Sequence, residues 1–312
     1  MFSYEVVALT IEAADRIRFF TEYYLRNGAS RVTLFHDGAT PARGFGDRVS
    51  VIPCDGAFWR SIPGGRPDTV EARQRCVYDI AYRNCRADWL LVVDTDEFVT
   101  GFDRIAEAIV AAPHPPPLVR IPSAEALFAV TGRSDADFSA CHFRVPQNRY
   151  LAQLLPRLLY PGYGHLFIRG LLGHAIGKQF IRAGLDAVEI GIHSAAIAGR
   201  LTDPLVVADY TPQKGVFLCH FDAISYPQWR EKWDRRVRNR DAAEMGAKRD
   251  RQMALYLESS EKGDRALRAL FQDLYGVTTR KFRVMQALGL AFAFDLSAGE
   301  GAHSRATGCS TA

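Results

Sequence analysis

The run Trp89-Leu90-Leu91-Val92-Val93 leads without a break into Asp94-Thr95-Asp96-Glu97-Phe98. Five apolar residues in a row, ending in two β-branched valines, are what a strand covered on both faces requires, and such strands belong to sheets with helices packed against them. The three carboxylates fall where the strand emerges, the edge at which open α/β sheets place their ligands. Asp94 and Asp96 are two apart, so on a continued strand they share a face. Hard divalent cations take carboxylate oxygens and keep positions open for substrate phosphates. For a bare D-x-D the competing reading is a solvated acidic turn after a core strand.

The residues ahead of this stretch fit the same sheet. Tyr4 to Thr10 reads as a first strand, and Glu12 to Arg26 has helical spacing with Ile17, Phe20, Tyr24 and Leu25 on one side, stopped by Asn27-Gly28. Val32 to Phe35 is a second strand closed by His36-Asp37-Gly38, and Val49 to Pro53 a third. Gly56 to Asp68, with Gly, Pro and the aromatic anchors Phe58 and Trp59, reads as a loop. Thr69 to Cys85 is a second helix, with Val70, Arg73, Val77, Ile80 and Ala81 in phase. The acidic stretch therefore closes a β-α-β unit on the pattern of a nucleotide-binding sheet.

After Phe98 the pattern loosens. Phe102 to Ala112 is helical, His114 to Pro117 forces an extended connector, and Leu118 to Pro122 is a strand. Asp135 to Pro146 and Tyr160 to Gly173 mix Gly, Pro and aromatics and read as loops around a cleft. Val188 to Ile192 and Val216 to Cys219 are short strands, each followed by a histidine. From Pro227 the chain turns helical and charged: Trp229 to Arg251 carries nine basic and five acidic residues, and this interleaving favours a salt-bridged, solvent-facing helix over one that docks on a membrane. Phe282 to Phe294 is rich in Phe and Leu but too short to span a bilayer. The expected division is 1–226 for an α/β domain, 227–296 for a helical extension and 297–312 for a disordered tail.

Composition excludes several classes. The 312 residues are 48% apolar and 24% charged, enough for a large core. A formal charge of +4 permits an anionic substrate but does not call for nucleic acid. The six cysteines show neither C-x-x-C nor zinc-finger spacing, so reduced thiols are expected. Met1 to Glu5 lacks the features of a signal peptide, and no segment reaches a membrane span; a cytoplasmic protein is expected, at most peripheral to a membrane.

Three blocks of the first 100 residues together resemble glycosyltransferases of the GT-A fold, in a family-2-like group whose D-x-D is extended to D-x-D-E-F. They are Thr10-Ile11-Glu12 before the aromatic helix, Phe35-His36-Asp37-Gly38-Ala39-Thr40, and Asp88-Trp89 through Phe98. Gly177-Lys178, Glu189 to His193, and Leu218 to Asp222 followed by Lys232 look like C-terminal blocks of that group. The resemblance covers roughly residues 4 to 236. One position departs: the first block usually carries Asn before its Glu, and Ile11 stands there. The fold implied is an α/β, GT-A type nucleotide-binding sheet flanked by helices, with a helical C-terminal extension. The activity implied is transfer of a sugar, as by a hexosyltransferase, from a nucleotide-sugar donor to a saccharide or lipid-linked acceptor hydroxyl. Inversion at the anomeric carbon, help from Mn²⁺ or Mg²⁺ and a place in surface polysaccharide or glycolipid synthesis come with it.

The resemblance assigns Glu12, Asp37 and Asp94 to the nucleotide-sugar, and Asp96, with Asp94, to the metal. A neutral imidazole also completes metal shells, and of the histidines that end strands His220 is preferred because Asp222 follows it, with His193 as the alternative. Lys178 and Arg182, spaced i, i+4, are candidates for the diphosphate. An inverting transfer needs a general base; Asp137 and Asp222 are the leading candidates, with Glu125, Asp135 and Glu97 beside them. Two other classes compete. Some phosphohydrolases use the first Asp of D-x-D as nucleophile, but they place it on the first strand, whereas here it lies on about the fourth. A non-catalytic nucleotide- or carbohydrate-binding protein on the same fold is the other.

Overall fold

A computed structural model describes residues 2–39, 43–132, 134–148, 150–152, 154–210, 215–240 and 246–296. The chain divides into two compact units, the described residues of 1–122, 176–209 and 216–218 forming the first and those of 123–175, 210–215 and 219–312 the second. This differs from the division expected at residue 226. The segment after Pro122 pairs its strands with the C-terminal part of the chain, so the helical end joins a sheet instead of extending the first one. The expected tail at 297–312 lies outside the described residues.

In the first unit, β1 (Tyr4–Thr10), α1 (Ala14–Arg26), β2 (Arg31–His36) and β3 (Val49–Pro53) are followed by α2 (Gly56–Ser61), α3 (Val70–Arg83), β4 (Trp89–Val92), β5 (Glu97–Val99), α4 (Phe102–Ala111) and β6 (Leu118–Ile121). β3, β2, β1 and β4 lie side by side in that order, all parallel. β4 is a fully buried apolar run and β1, beside it at the centre, is buried but for Leu9; β3, partly exposed, is at the edge. Beyond β4 the strand Lys178–Arg182 runs antiparallel, then β6 antiparallel to that, and Leu205–Val206 parallel to β6. Val7, Val92, Val77, Tyr78 and Ile181 share one core under α3.

Gly56 to Ser61 is helical where a loop was expected. Asp55 caps it, its carboxylate accepting from the backbone N–H of Ala57 and Phe58 at 2.9 Å. An Asp at that position is a start signal, and the Gly-Pro content around it obscured the signal.

In the second unit the strands Ala291–Ala293, His142–Arg144, Ser123–Ala129 and Leu218–His220 lie in that order, with Gly276–Val277 parallel beside Ser123–Ala129. His142–Arg144 falls inside a stretch expected to be loop. Helices Tyr226–Arg238, Ala247–Glu261, Asp264–Tyr275 and Thr279–Ala287 follow, and Trp229 packs its ring against Tyr226, Tyr256 and Phe271. Charged ladders such as Arg230–Asp264 and Arg235–Glu231 line the outer faces, as the interleaved charges suggested. No helix among the described residues is long and apolar enough to cross a membrane. The five described cysteines form no disulfide.

Candidate nucleotide and metal site

The carboxyl ends of β1, β2 and β4 converge on one edge of the first sheet. β1 leads outward to β2 on one side while β4 arrives on the other, so the edge between them is the topological switch point, where parallel sheets open a crevice.

At the end of β4 the acids do not continue the strand. Asp94 to Glu97 is a tight turn, closed by Glu97 N–H donating to the Asp94 carbonyl at 3.1 Å. The Glu97 carboxylate folds back to accept from the Asp94 N–H at 2.8 Å. Asp is favoured at the first position of such a turn. The expected shared face for Asp94 and Asp96 is therefore replaced by a loop that Glu97 holds in shape. Phe98 anchors it from below, edge-on to Phe19 and Tyr23 and stacked with Tyr24. The Tyr24 and Tyr23 hydroxyls donate to the carbonyls of Glu97 and Val99 at 2.9 and 2.7 Å. The aromatic spacing of α1 thus serves to carry the acidic turn.

Lys178 is fully buried beside this turn, its ammonium 2.9 Å from Asp94 and 3.6 Å from Glu97. Burial alone lowers a lysine; here Asp94 and then Glu97 outweigh it and hold the ammonium above the ordinary lysine range. Gly177, immediately before it, has φ +83°, and a Cβ there meets the Ile121 carbonyl at 1.8 Å. Glycine is required for the strand to enter beside β6 and deliver Lys178. Asp94 also accepts from Gln74 at 2.6 Å, so both its oxygens are engaged. The burial and the negative charges of Asp94 and Glu97 push the neighbouring Tyr78 hydroxyl up.

Sequence spacing groups Arg182 with Lys178, and the structure separates them. The two begin and end a strand, so they stand about 13 Å apart. Arg182 pairs with Trp89 at the opposite end of β4 and donates to the Pro115 carbonyl. The i, i+4 spacing is neighbouring on a helix but distant on a strand.

Asp37, at the end of β2, accepts from Trp59 Nε1 at 3.0 Å, Arg66 at 2.8 Å and Arg73 at 2.5 Å. Gly38, Cys54, Asp55, Trp59 and Arg66 join it around an open depression of about 490 Å³. Arg73 is buried and satisfied by Asp37 and by the Thr69 and Asp68 carbonyls; Arg66 is half exposed at the rim. An arginine in the apolar phase of the second predicted helix was the sequence signal for this pair. Glu12, half-buried after β1, binds Arg16 at 2.7 Å, and its N–H donates to Thr10 Oγ1, which meets Thr95 Oγ1 at 3.2 Å.

Neither histidine joins a metal cluster: among the described residues no three His, Cys, Asp or Glu side chains gather around a common point. His193 is in the first unit, in the turn after Val188–Ile190, with Nδ1 donating to the Gly177 carbonyl at 3.0 Å. His220 is in the second unit, packed so closely on Gly173 that a Cβ there meets its ring at 2.8 Å. The carboxylates of the acidic turn are still of the kind a hard divalent cation takes. Asp94, Asp96 and Glu97 stand within four residues, and the first and last of them pair with the Lys178 ammonium. Half-buried Asp96 is the carboxylate of the three that neither pairs with Lys178 within 4 Å nor closes the turn. One protein carboxylate plus substrate phosphates is a common Mg²⁺ shell.

The candidate bases separate by exposure. Asp222 is buried, accepting from Tyr275 at 2.6 Å and Arg249 at 3.2 Å. Burial alone raises an aspartate; the charges of Arg249 and Lys232 outweigh it and hold Asp222 well below the usual carboxylate range. A buried carboxylate held there is a poor proton acceptor, which argues against its expected role. Glu125 is likewise buried, gripped by Arg144 and by the N–H groups of Leu172 and Gly173. Asp137 is exposed and accepts from Ser225 at 2.6 Å; Asp135, also exposed, pairs with Arg268.

No family model and no curated protein matches the chain. Among solved structures it is similar to S. aureus TarS residues 1–349, at 13% identity over 85% of this chain and 73% of that one, with a TM-score of 0.33. For the same segment in complex with UDP the identity is 12%, the shares 85% and 73% and the TM-score 0.28. In complex with UDP-GlcNAc they are 13%, 88% and 82%, and 0.28. Likeness at scores this low carries no weight for function, which is read from the geometry of the site itself.

Proposed function

We propose that the chain is a glycosyltransferase of the GT-A type, transferring a sugar from a nucleotide-sugar donor to a hydroxyl acceptor with help from Mn²⁺ or Mg²⁺. The observation that carries this reading is the Asp94–Glu97 turn at the switch point, with Lys178 buried beside it. Arg66, at the rim of the depression beside Asp37, meets the nucleotide; Asp37 and Trp59 hold that arginine. Asp94 is held by Gln74 and Lys178, and Glu97 fixes the turn so that Asp96 is presented. Asp96 would hold the divalent ion, which would supply Lewis-acid stabilisation of the leaving diphosphate. An inverting transfer also requires a general base, for which Asp137 and Asp222 are the candidates. The acceptor is a saccharide or lipid-linked hydroxyl, in surface polysaccharide or glycolipid synthesis.

The phosphohydrolase reading requires Asp94 as nucleophile, and both Asp94 oxygens are already engaged by Gln74 and Lys178. Incubation with UDP- and GDP-sugars and Mn²⁺ separates the readings. Metal-dependent release of the nucleoside diphosphate, reduced about a hundredfold or more in Asp96→Ala, is expected. Metal-independent hydrolysis of simple phosphate esters contradicts it, and binding of nucleotide without turnover points to the non-catalytic alternative.

A further inference from the structure

Large apolar side chains scattered singly over a surface need no explanation, but a cluster does. Five exposed ones fall between residues 150 and 168 of the second unit: Tyr150 at 74% exposure, Leu151, Leu154, Leu158 at 65%, and Ile168. The backbone arranges three of them. Leu155 N–H donates to the Leu151 carbonyl and Leu158 N–H to that of Leu154, both with the four-residue spacing of helical winding. Leu151, Leu154 and Leu158 stand at i, i+3 and i+7, one face of that winding. Leu155 and Leu159 lie on the adjoining flank, roughly 90° round the helix, and pack on Leu127, Val277 and Met285. Fold stability accounts for the inner pair and leaves the outer leucines without a structural purpose.

The surroundings of this face are basic. Between Asp137 and Asp186 the sequence holds no Asp or Glu, a long interval in a chain with 35 of them. Arg157 and Arg169 are exposed on the same segment, and the Lys281 ammonium sits 3.8 Å over the Tyr160 ring beneath it. Two carboxylates reach the segment near Tyr163: Asp273 of the helix Asp264–Tyr275, which accepts from its hydroxyl, and Glu258 of the preceding helix, which stands with Lys262. Leucines projecting from a short helix, an aromatic with a polar tip and a cationic rim match a bilayer interface carrying anionic headgroups.

We infer that the face bearing Leu151, Leu154 and Leu158 docks the protein on an anionic membrane surface, these leucines entering the headgroup–acyl boundary and Arg157 and Arg169 meeting lipid phosphates. This face is separate from the charged Trp229–Arg251 segment, whose acids disfavour an anionic surface. Docking goes beyond the proposed reaction and stands whether or not that reaction is correct, because binding to lipid is measured without donor or turnover.

The test is cosedimentation of the full chain with vesicles of phosphatidylcholine alone and of phosphatidylcholine mixed with phosphatidylglycerol. Binding to the mixed vesicles is expected, weaker on the neutral ones and weakened by salt. The double variant Leu154→Ser/Leu158→Ser is expected to lose it at least about tenfold, and Arg157→Gln to weaken it. Both change exposed side chains, so an unaltered thermal midpoint separates lost docking from lost folding. Absence of binding to mixed vesicles, or equal binding by the double variant, overturns the inference. Self-association that the leucine variant abolishes, without vesicle binding, also overturns it and assigns the face to a second copy of the chain.

Discussion

Lys178 shows how far one residue's role depends on where the backbone puts it. Removing its ammonium takes a buried counter-charge from Asp94 and Glu97, and breaking a buried ion pair costs about 3–5 kcal/mol. Lys178→Met is expected to lower stability by that order, read from urea unfolding. Its folded pKa is raised, so the stabilisation is fully present below the unfolded lysine value near pH 10.4 and is lost as pH rises through the folded value. The gap between wild type and variant is therefore constant through neutral pH and closes only in strong alkali. Asp222 is the opposite case, with its folded pKa depressed. Its contribution is present above the unfolded aspartate value near pH 3.9 and fades as pH falls through the folded one. Asp222→Asn is expected to be less stable than wild type at pH 7, with the difference shrinking in acid; an unchanged midpoint at pH 7 contradicts this role.

At the scale of elements, the acidic turn and the helix beneath it form one device. The D-x-D is visible in sequence as an acidic exit from a buried strand, but Phe98 is visible only as an aromatic stop. The structure makes Phe98 the plug between the turn and α1, with Tyr23 and Tyr24 on either side. Phe98→Ala is expected to cost about 3–5 kcal/mol and to weaken nucleotide binding as well, since the turn loses its floor. Tyr24→Phe removes the hydrogen bond donated to the Glu97 carbonyl and the one accepted from the buried Val99 N–H, and is expected to cost about 1–3 kcal/mol, measured by the same unfolding. β1, β2, β4, α1 and α3 are legible because each is a largely buried apolar run or a 3.6-residue pattern, signals that survive without tertiary information. Lys178 and Arg182 were misread as a pair because spacing has meaning only once the element type is known. The Arg66–Asp37–Arg73 clamp joins a strand end, a loop and a helix that only the folded sheet brings together.

For the whole molecule, the strand pairings that build the second unit are what the sequence does not announce. Ser123–Ala129 and His142–Arg144 are short, and their partners Gly276–Val277 and Ala291–Ala293 lie more than 140 residues away, so no local pattern announces the pairing. The second unit is fastened inside by the Arg144–Glu125 pair, both buried, with Arg144 also donating to Tyr160 and to the Leu274 carbonyl. Arg144→Ala strands the Glu125 charge and is expected to destabilise by about 3–5 kcal/mol.

If the Asp94–Glu97 turn binds the diphosphate of a nucleotide-sugar through a metal presented by Asp96, nucleotide and metal must stabilise the protein together. Thermal shifts of the full chain with UDP and GDP, each with and without Mn²⁺, measure this in wild type and Asp96→Ala. The expected outcome is a rise in midpoint with one of these nucleotides that requires Mn²⁺ and disappears in the variant, while the variant's own midpoint is unchanged. A shift that persists in Asp96→Ala, or no shift with either nucleotide and metal, contradicts the proposed site.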